Sequence, residues 1–185
     1  MADMQTHTAD IPDDVLDRIE RGEEHPPKPD FMTQEAYDQL IMSRKPEIVR
    51  MYSTSQVDHY RAQQAEGNIE EQGAPALILT TIGRKSGKEI AAPLTFMREG
   101  DNYYVVASFF GFKQDPHWAK NLDQNPNAWV EADARKIPVT GRKLTAEERA
   151  RVWPKLSEHF PPWGYFQKYC RREFPVYLLT PREDG

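Results

Sequence analysis

An α+β barrel with helices inserted between its strands is the fold class that this 185-residue sequence predicts. Three observations predict it. Two short segments, 74–81 and 103–110, are strongly apolar and carry β-formers, whereas residues 1–50 are polar and proline-rich. Glycine-bearing turns at 83–88 and 99–102 separate strand-like segments closely enough for hairpins. Helical segments interrupt the strands without the regular alternation of a parallel βαβ sheet, and five or six strands are expected.

The elements follow in order. Residues 1–33 form a polar leader in which Ile11-Pro12-Asp13-Asp14 opens a short amphipathic turn through Val15, Leu16 and Ile19. Pro26, Pro27 and Pro29 forbid a continuing helix, so the leader is expected as a linker or as a strap on the domain. Thr33 is an N-cap candidate for a helix that Pro46 interrupts. A second helix, 46–64, places Ile48, Val49, Tyr52, Val57 and Tyr60 on one face, and 65–73 is a polar loop. Strands are predicted at 75–81, at 89–97 with Pro93 inside, and at 103–108. Asp115 then reads as an N-cap with Pro116 at the first helical position, for a helix to about Gln124. Strands at about 127–133 and 136–143 face each other across Ala134-Arg135. Thr145-Ala146-Glu147-Glu148 resembles a capping box and starts a helix to about Glu158. Pro161-Pro162 breaks that helix, a short one covers about 163–171, and Phe174–Thr180 is the last strand.

Composition excludes several classes. A net charge of -5 argues against a general nucleic-acid binder, which needs a basic stripe to displace counterions. The one cysteine, Cys170, rules out an intrachain disulfide framework, and its neighbours point to packing rather than nucleophilic chemistry. No apolar run approaches the ~20 residues of a membrane span. The N-terminus lacks the basic and apolar regions of a signal peptide, so a soluble cytoplasmic protein is expected. The five histidines (His7, His25, His59, His117, His159) never cluster at metal-ligand spacing, and no metal is expected. GxSxG, paired-cysteine and GxGxxG motifs are all absent, which removes support for hydrolase, redox-thiol and dinucleotide-fold readings.

Three segments can carry chemistry. In TTIGRKSGK, 80–88, Gly83 and Gly87 permit close backbone approach, so successive N–H groups can form an anion-binding concavity. Arg84, Lys85, Ser86 and Lys88 add charge and a hydroxyl; the competing reading is an ordinary solvated hairpin. In 105–126, a strand ending at Ser108 leads through Gly111 to a helix with His117 and Trp118 in its first turn, where free N–H groups and an indole can flank a planar ring. Trp118 and Leu122, four apart, equally suit a core contact. In 159–174, Phe160, Trp163, Tyr165, Phe166 and Tyr169 form either a lid over an apolar pocket or a cap on the barrel. Arg171 and Arg172 read as solvent-facing partners of Glu173.

Taken in order, Ala74-Pro75, Thr80–Lys88, Pro93-Leu94, Gly100-Asp101, Tyr103–Ser108, Asp115–Pro126, Phe160–Gln167 and Pro175–Pro181 resemble the deazaflavin (coenzyme F420)-dependent nitroreductase family. The resemblance covers about 45–182, with 1–44 left as an N-terminal extension. It implies a split β-barrel of the flavin-reductase, FMN-binding-like kind, with N-terminal helices and helical inserts. It further implies an oxidoreductase transferring a hydride from reduced F420 to a quinone, nitroaromatic or activated enone. By resemblance Arg84, Lys85, Ser86 and Gly87 meet the phosphate end, Pro93 and the strand through Ala107, Ser108 and Phe109 lie along the ring, and Trp118 and Asn121 stand beside it. Phe160, Trp163, Phe166 and Tyr169 fall at the substrate, Ser108 at the reacting ring, and Tyr165 or water supplies a proton. This chain departs from the pattern: Ile90 and Phe109 stand where relatives carry an arginine and a lysine, Ala91-Ala92 replaces Thr-Thr, and the substrate-side tyrosines are replaced. Lys113 is the expected compensating cation. Two alternatives stay open, an FMN reductase of the same fold and a non-catalytic binder of an apolar ligand such as a fatty acid or haem. The partner is expected to be a small planar molecule, and the protein a monomer or homodimer.

Overall fold

The computed structural model describes residues 11–66, 70–71 and 74–183. In chain order the elements are α1 (Asp13–Arg21), α2 (Gln34–Tyr37) running into a π turn (Asp38–Met42), α3 (Pro46–Glu66), β1 (Glu70–Glu71), β2 (Ala74–Ile82), β3 (Glu89–Thr95), β4 (Met97–Glu99), β5 (Asn102–Val106), a 3-10 turn (Phe109–Gly111), α4 (His117–Gln124), β6 (Asn127–Ala132), β7 (Arg135–Lys143), α5 (Ala146–His159), α6 (Pro161–Lys168) and β8 (Val176–Pro181). The loop expected at 65–73 lies partly outside the described residues.

The apolar run of β2 is buried along nearly its whole length, as a central strand must be, and it pairs with β3 on one side and β6 on the other. Strand order is β1-β2-β6-β7-β8-β5-β4 with β3 also on β2, all antiparallel, and the sheet curls until β3 comes near β5. This is the split β-barrel that the resemblance implied. Pro93 sits in β3, whose one described partner is β2, so its missing N–H costs no ladder bond on the open edge. The strand expected at 89–97 divides at Phe96: its N–H still bonds Pro75 O of β2 at 3.1 Å, and from Met97 the chain pairs with β5.

The two-residue period of the strands sorts side chains into two cores. Val105 and Tyr177 point into the barrel with Leu77, Leu79, Val130 and Leu179, and α4 plugs it with Trp118, Ala119 and Leu122. Their neighbours Val106 and Val176 point outward, against Leu156, Phe160, Trp163, Phe166 and Phe174. Met32, Tyr37, Leu40 and Ile41 of the leader belong to this outer core. Full burial of each such side chain contributes about 1.5–3 kcal/mol.

Several expected boundaries shift for physical reasons. Helix α4 begins at His117 with Pro116 as the extended cap residue, because the Asp115 carboxylate is drawn away by Arg172 Nη1 at 2.6 Å. Pro161-Pro162 opens α6 instead of only ending α5, since proline lacks just the N–H that a first turn leaves unbonded. The β6–β7 turn is Asp133-Ala134, both at positive φ, one residue before the expected pair. On α3, Val49 and Val57 are buried but Tyr52 is 46% exposed, so the expected apolar face is only partly a core face. Arg171 and Arg172 do not pair with Glu173: Arg171 reaches Asp17 at 2.8 Å, Arg172 turns inward, and Glu173 meets Arg149 at 3.4 Å.

Thr145 makes the capping box in full, accepting from Glu148 N at 3.2 Å while Glu148 Oε2 accepts from Thr145 N at 2.9 Å. Thr145→Ala is expected to lower stability by about 1 kcal/mol in urea unfolding, without changing the slope of the transition.

Candidate functional site

Helix α3 lies across the edge strand β3, and the space between them opens into a groove of about 360 Å³, toward the small end of the usual ligand-pocket range of about 300–1,000 Å³. Its floor is β3 from Ile90 to Thr95, and α3 contributes Val49, Arg50, Tyr52 and Ser53. Val106, Ser108, Phe109 and Phe110 enter from the end of β5, and Pro116, His117 and Trp118 from the start of α4. Phe160, Trp163 and Phe166 come from the α5–α6 corner, and Phe31 and Met32 from the leader. At ~3.3 Å per residue the strand floor runs ~17 Å, from the hairpin beside Ile90 to the corner where His159 Nε2 lies 2.9 Å from Phe96 O. The groove therefore has a hairpin end and an aromatic end.

The wall at Ser108–Gly111 is conformationally demanding. Phe109, Phe110 and Gly111 have φ of 45°, 50° and 71°, a left-handed run that is unfavourable for two bulky residues. One guanidinium holds it. Arg172 donates to Ala107 O (2.9 Å), Ser108 O (2.9 Å) and Phe112 O (3.0 Å) and pairs with Asp115. Burial pushes the Arg172 pKa down, yet the acidic and carbonyl oxygens around it keep the cation in place.

At the hairpin end four of the backbone N–H groups of the turn are bonded within the protein. The N–H groups of Gly83 and Gly87 bond Lys88 O and Gly83 O, Arg84 N donates to Asn121 Oδ1, and Lys88 N donates to Ser86 Oγ. A Cβ at Gly83 would lie 2.5 Å from Ser86 Oγ and 2.8 Å from Ile90 Cδ1, side-chain ends that would have to turn aside, and 3.3 Å from Lys88 O. What the end offers is side-chain charge. The His117 imidazole is pushed below its ordinary value by desolvation and by Arg50, Arg84, Lys120 and Lys85 around it. Among the described residues, Arg50, Lys85 and Lys120 have no carboxylate partner, and Arg84 is tied to the neutral Asn121 at 3.1 Å.

The sequence-predicted residues fall into two groups. Pro93, Ser108, Phe109, Trp118, Phe160, Trp163 and Phe166 line the groove. Trp118 is also a core residue, packed edge-on to Tyr177 at 5.3 Å. Arg84 is half-buried by the mouth, while Lys85, Ser86 and Gly87 are exposed. The rest do not line it. Asn121 is buried and clasps the hairpin to Thr81 Oγ1 at 3.0 Å, and Ala107 is fully buried with its carbonyl held by Arg172. Lys113 sits 3.7 Å from Glu20 beside a different, small cavity that Tyr169 and Cys170 also line. Tyr165 is no proton donor to the groove, because its hydroxyl donates to Pro27 O and its burial raises its pKa far above that of free tyrosine. Sequence reasoning missed Arg50, Lys120, Phe31 and Met32. The one signal for Arg50 is the polar series Arg50, Ser53, Thr54, which interrupts the apolar stripe of α3 at helical spacing.

A family model described as F420H(2)-dependent quinone reductase matches residues 52–181. An F420H(2)-dependent quinone reductase of Mycobacterium tuberculosis is 32% identical over 111 residues, covering 58% of this chain and 74% of that one. Among solved structures, an F420-H2 dependent reductase (FDR-A) aligns at 34% identity with a TM-score of 0.52, over 56% of this chain and 92% of that one. A second, described as a domain-swapped dimer, aligns at 30% identity with a TM-score of 0.54, over 68% and 98%.

Two measurements check the site. The His117 ring should titrate by NMR below the ordinary histidine value of 6.5 and move upward in Arg50→Ala; a titration at or above 6.5 in the native protein would contradict the cationic surroundings. Arg172→Gln should cost about 3 kcal/mol in chemical unfolding, since it strips the turn carbonyls of a donor and leaves Asp115 unpaired.

Proposed function

This chain belongs to the F420H(2)-dependent quinone reductase family, an oxidoreductase working with coenzyme F420 on quinone-like acceptors, and from that premise we propose that the α3–β3 groove is its cofactor and substrate site. The observation that carries the assignment is the set of uncancelled cations, Arg50, Lys85 and Lys120 with Arg84, around His117 at one mouth of an apolar groove. A planar ring with an acidic tail matches both halves of that description. Arg50 and Lys120 replace the positive charge missing at Ile90 and Phe109, which Lys113 is not placed to do. The cofactor-binding unit spans 45–182, and residues 1–44 are an extension of it.

Reduced F420, when bound, supplies the hydride, and a quinone takes it with one proton to become the hydroquinone. The protein's residues do the rest. Arg50, Arg84, Lys85 and Lys120 hold the anionic tail, with Ser86 and Gly87 shaping the corner, and Pro93, Phe109 and Trp118 form apolar walls for the ring. Phe160, Trp163 and Phe166 stack on the acceptor and keep water from it. The Ser108 hydroxyl, which has no partner among the described residues, orients the acceptor carbonyl, and solvent water provides the proton. The family match favours F420 over FMN, and hydride transfer over mere storage of an apolar ligand. The partner is a small molecule, and no helix among the described residues is long and apolar enough to cross a membrane. A cytoplasmic monomer or homodimer completes the proposal.

Titration with F420 should change the cofactor's fluorescence with saturation at micromolar concentration. Arg84→Ala with Lys85→Ala should weaken binding at least tenfold, and adding Arg50→Ala should weaken it further, each charge-assisted contact being worth about 1.5–3 kcal/mol. Unchanged affinity in the triple variant would reject the anchor assignment. A flavin spectrum in the protein as isolated would point to FMN instead. Because an anion beside His117 favours its protonated ring, affinity should rise as pH falls from about 7.5 toward 5.5.

A further inference from the structure

Residues 11–51 precede the family-matched span, yet they build part of the groove. Resting on the quinone reading above, we propose that the leader is a fixed wall across the aromatic end, one that admits compact ring quinones and excludes those with a long prenyl tail.

Phe31 and Met32 are the wall. Met32 is 5% exposed, and Phe31 stands edge-on to Tyr165 at 5.5 Å and to Phe166 at 6.0 Å. The loop that presents them is tied from both sides. Tyr37 Oη donates to Pro26 O at 2.6 Å, Tyr165 Oη donates to Pro27 O, and Lys28 Nζ donates to Met32 O at 3.0 Å. Helix α1 is tied in turn, by Arg171 to Asp17 at 2.8 Å and by Arg44 Nη2 to Ile19 O at 3.1 Å. Pro26, Pro27 and Pro29 remove backbone freedom between these ties, so little entropy is left to lose on holding one conformation. Such a segment is a wall rather than a mobile lid.

Size turns the wall into a selection rule. The groove is toward the small end for ligand pockets and must hold the cofactor ring and the acceptor together. An acceptor ring stacked against Trp163 and Phe166 meets Phe31 and Met32 at its edge. A substituent of one or two carbons fits there, whereas a chain of several isoprene units has to displace the wall and break its ties.

The test compares 2-methyl-1,4-naphthoquinone with the same ring carrying a four-isoprene tail. Binding is read by quenching of tryptophan fluorescence, from Trp118 and Trp163 in the groove, and turnover as kcat/KM with reduced F420. The native protein should prefer the compact quinone at least tenfold in both readouts. Phe31→Ala with Met32→Ala should cut that preference at least fivefold by a gain for the tailed quinone. Tyr165→Phe, which frees Pro27 O but keeps the ring, should move it in the same direction with F420 affinity unchanged, and it serves alone if the double variant does not fold. Equal use of both quinones by the native protein, or equal losses for both in the variants, would overturn the wall. Failure of the native protein to bind F420 would instead overturn the function on which the wall rests.

Discussion

The site depends first on one guanidinium. Arg172 spans three carbonyls and a carboxylate between the end of β5 and the start of α4, and so defines how the chain crosses from one to the other. The left-handed conformations of Phe109 and Phe110 cost roughly 1–2 kcal/mol each. Hydrogen bonds to a charged group, at about 1.5–3 kcal/mol apiece, offset that cost. The result is a turn that sends two aromatic rings into the groove and starts α4 at His117, so the ring wall and the cationic mouth share one cause. Gly111 completes the run: its φ of 71° is favourable only for glycine, and its α-carbon faces Phe166 O, where a Cβ would lie at 3.4 Å.

The charge distribution follows a similar economy of contacts. The chain is acidic overall, yet the hairpin mouth gathers cations whose neighbours are neutral. Asn121 is central to this, accepting from Arg84 and donating to Thr81, so the hairpin is fixed to β2 and α4 without a carboxylate that would cancel the charge. An aspartate at that position would cancel the Arg84 charge and lose the donor to Thr81. Elsewhere some cations are paired, as in Arg61 with Glu131, Arg98 with Asp133 and Arg142 with Glu148. What distinguishes the mouth is that Arg50, Arg84, Lys85 and Lys120 gather around one imidazole.

Legibility in the sequence tracked the range of the interaction. The strands, the Thr33 cap and the Thr145 capping box are local devices and were readable as such. Asp115 was a sound local reading as an N-cap, but Arg172, 57 residues away, competes for its carboxylate and wins with a charge-assisted bond. Tyr165 offered a hydroxyl in an aromatic segment, and only the fold reveals that Pro27 of the leader takes it. Lys113 had the right chemistry and the wrong side of the turn. Arg50 was overlooked because a cation on a helix normally reads as a solvated face. Its place in the groove depends on α3 crossing β3, which no local pattern encodes. The ordered set of motifs identified the family, while the roles of individual residues depended on these long-range partners.

The two cores explain why the leader bears on chemistry at all. The barrel interior is completed with no side chain from before residue 77 among its buried members. The outer core is different, for Met32, Tyr37, Leu40, Ile41 and Val49 are packed together with Phe160, Trp163 and Phe166. The aromatic residues at that end of the groove are thus packed with residues that precede the family-matched span. A change in the leader would reach the aromatic end of the groove through packing while leaving the barrel interior as it is.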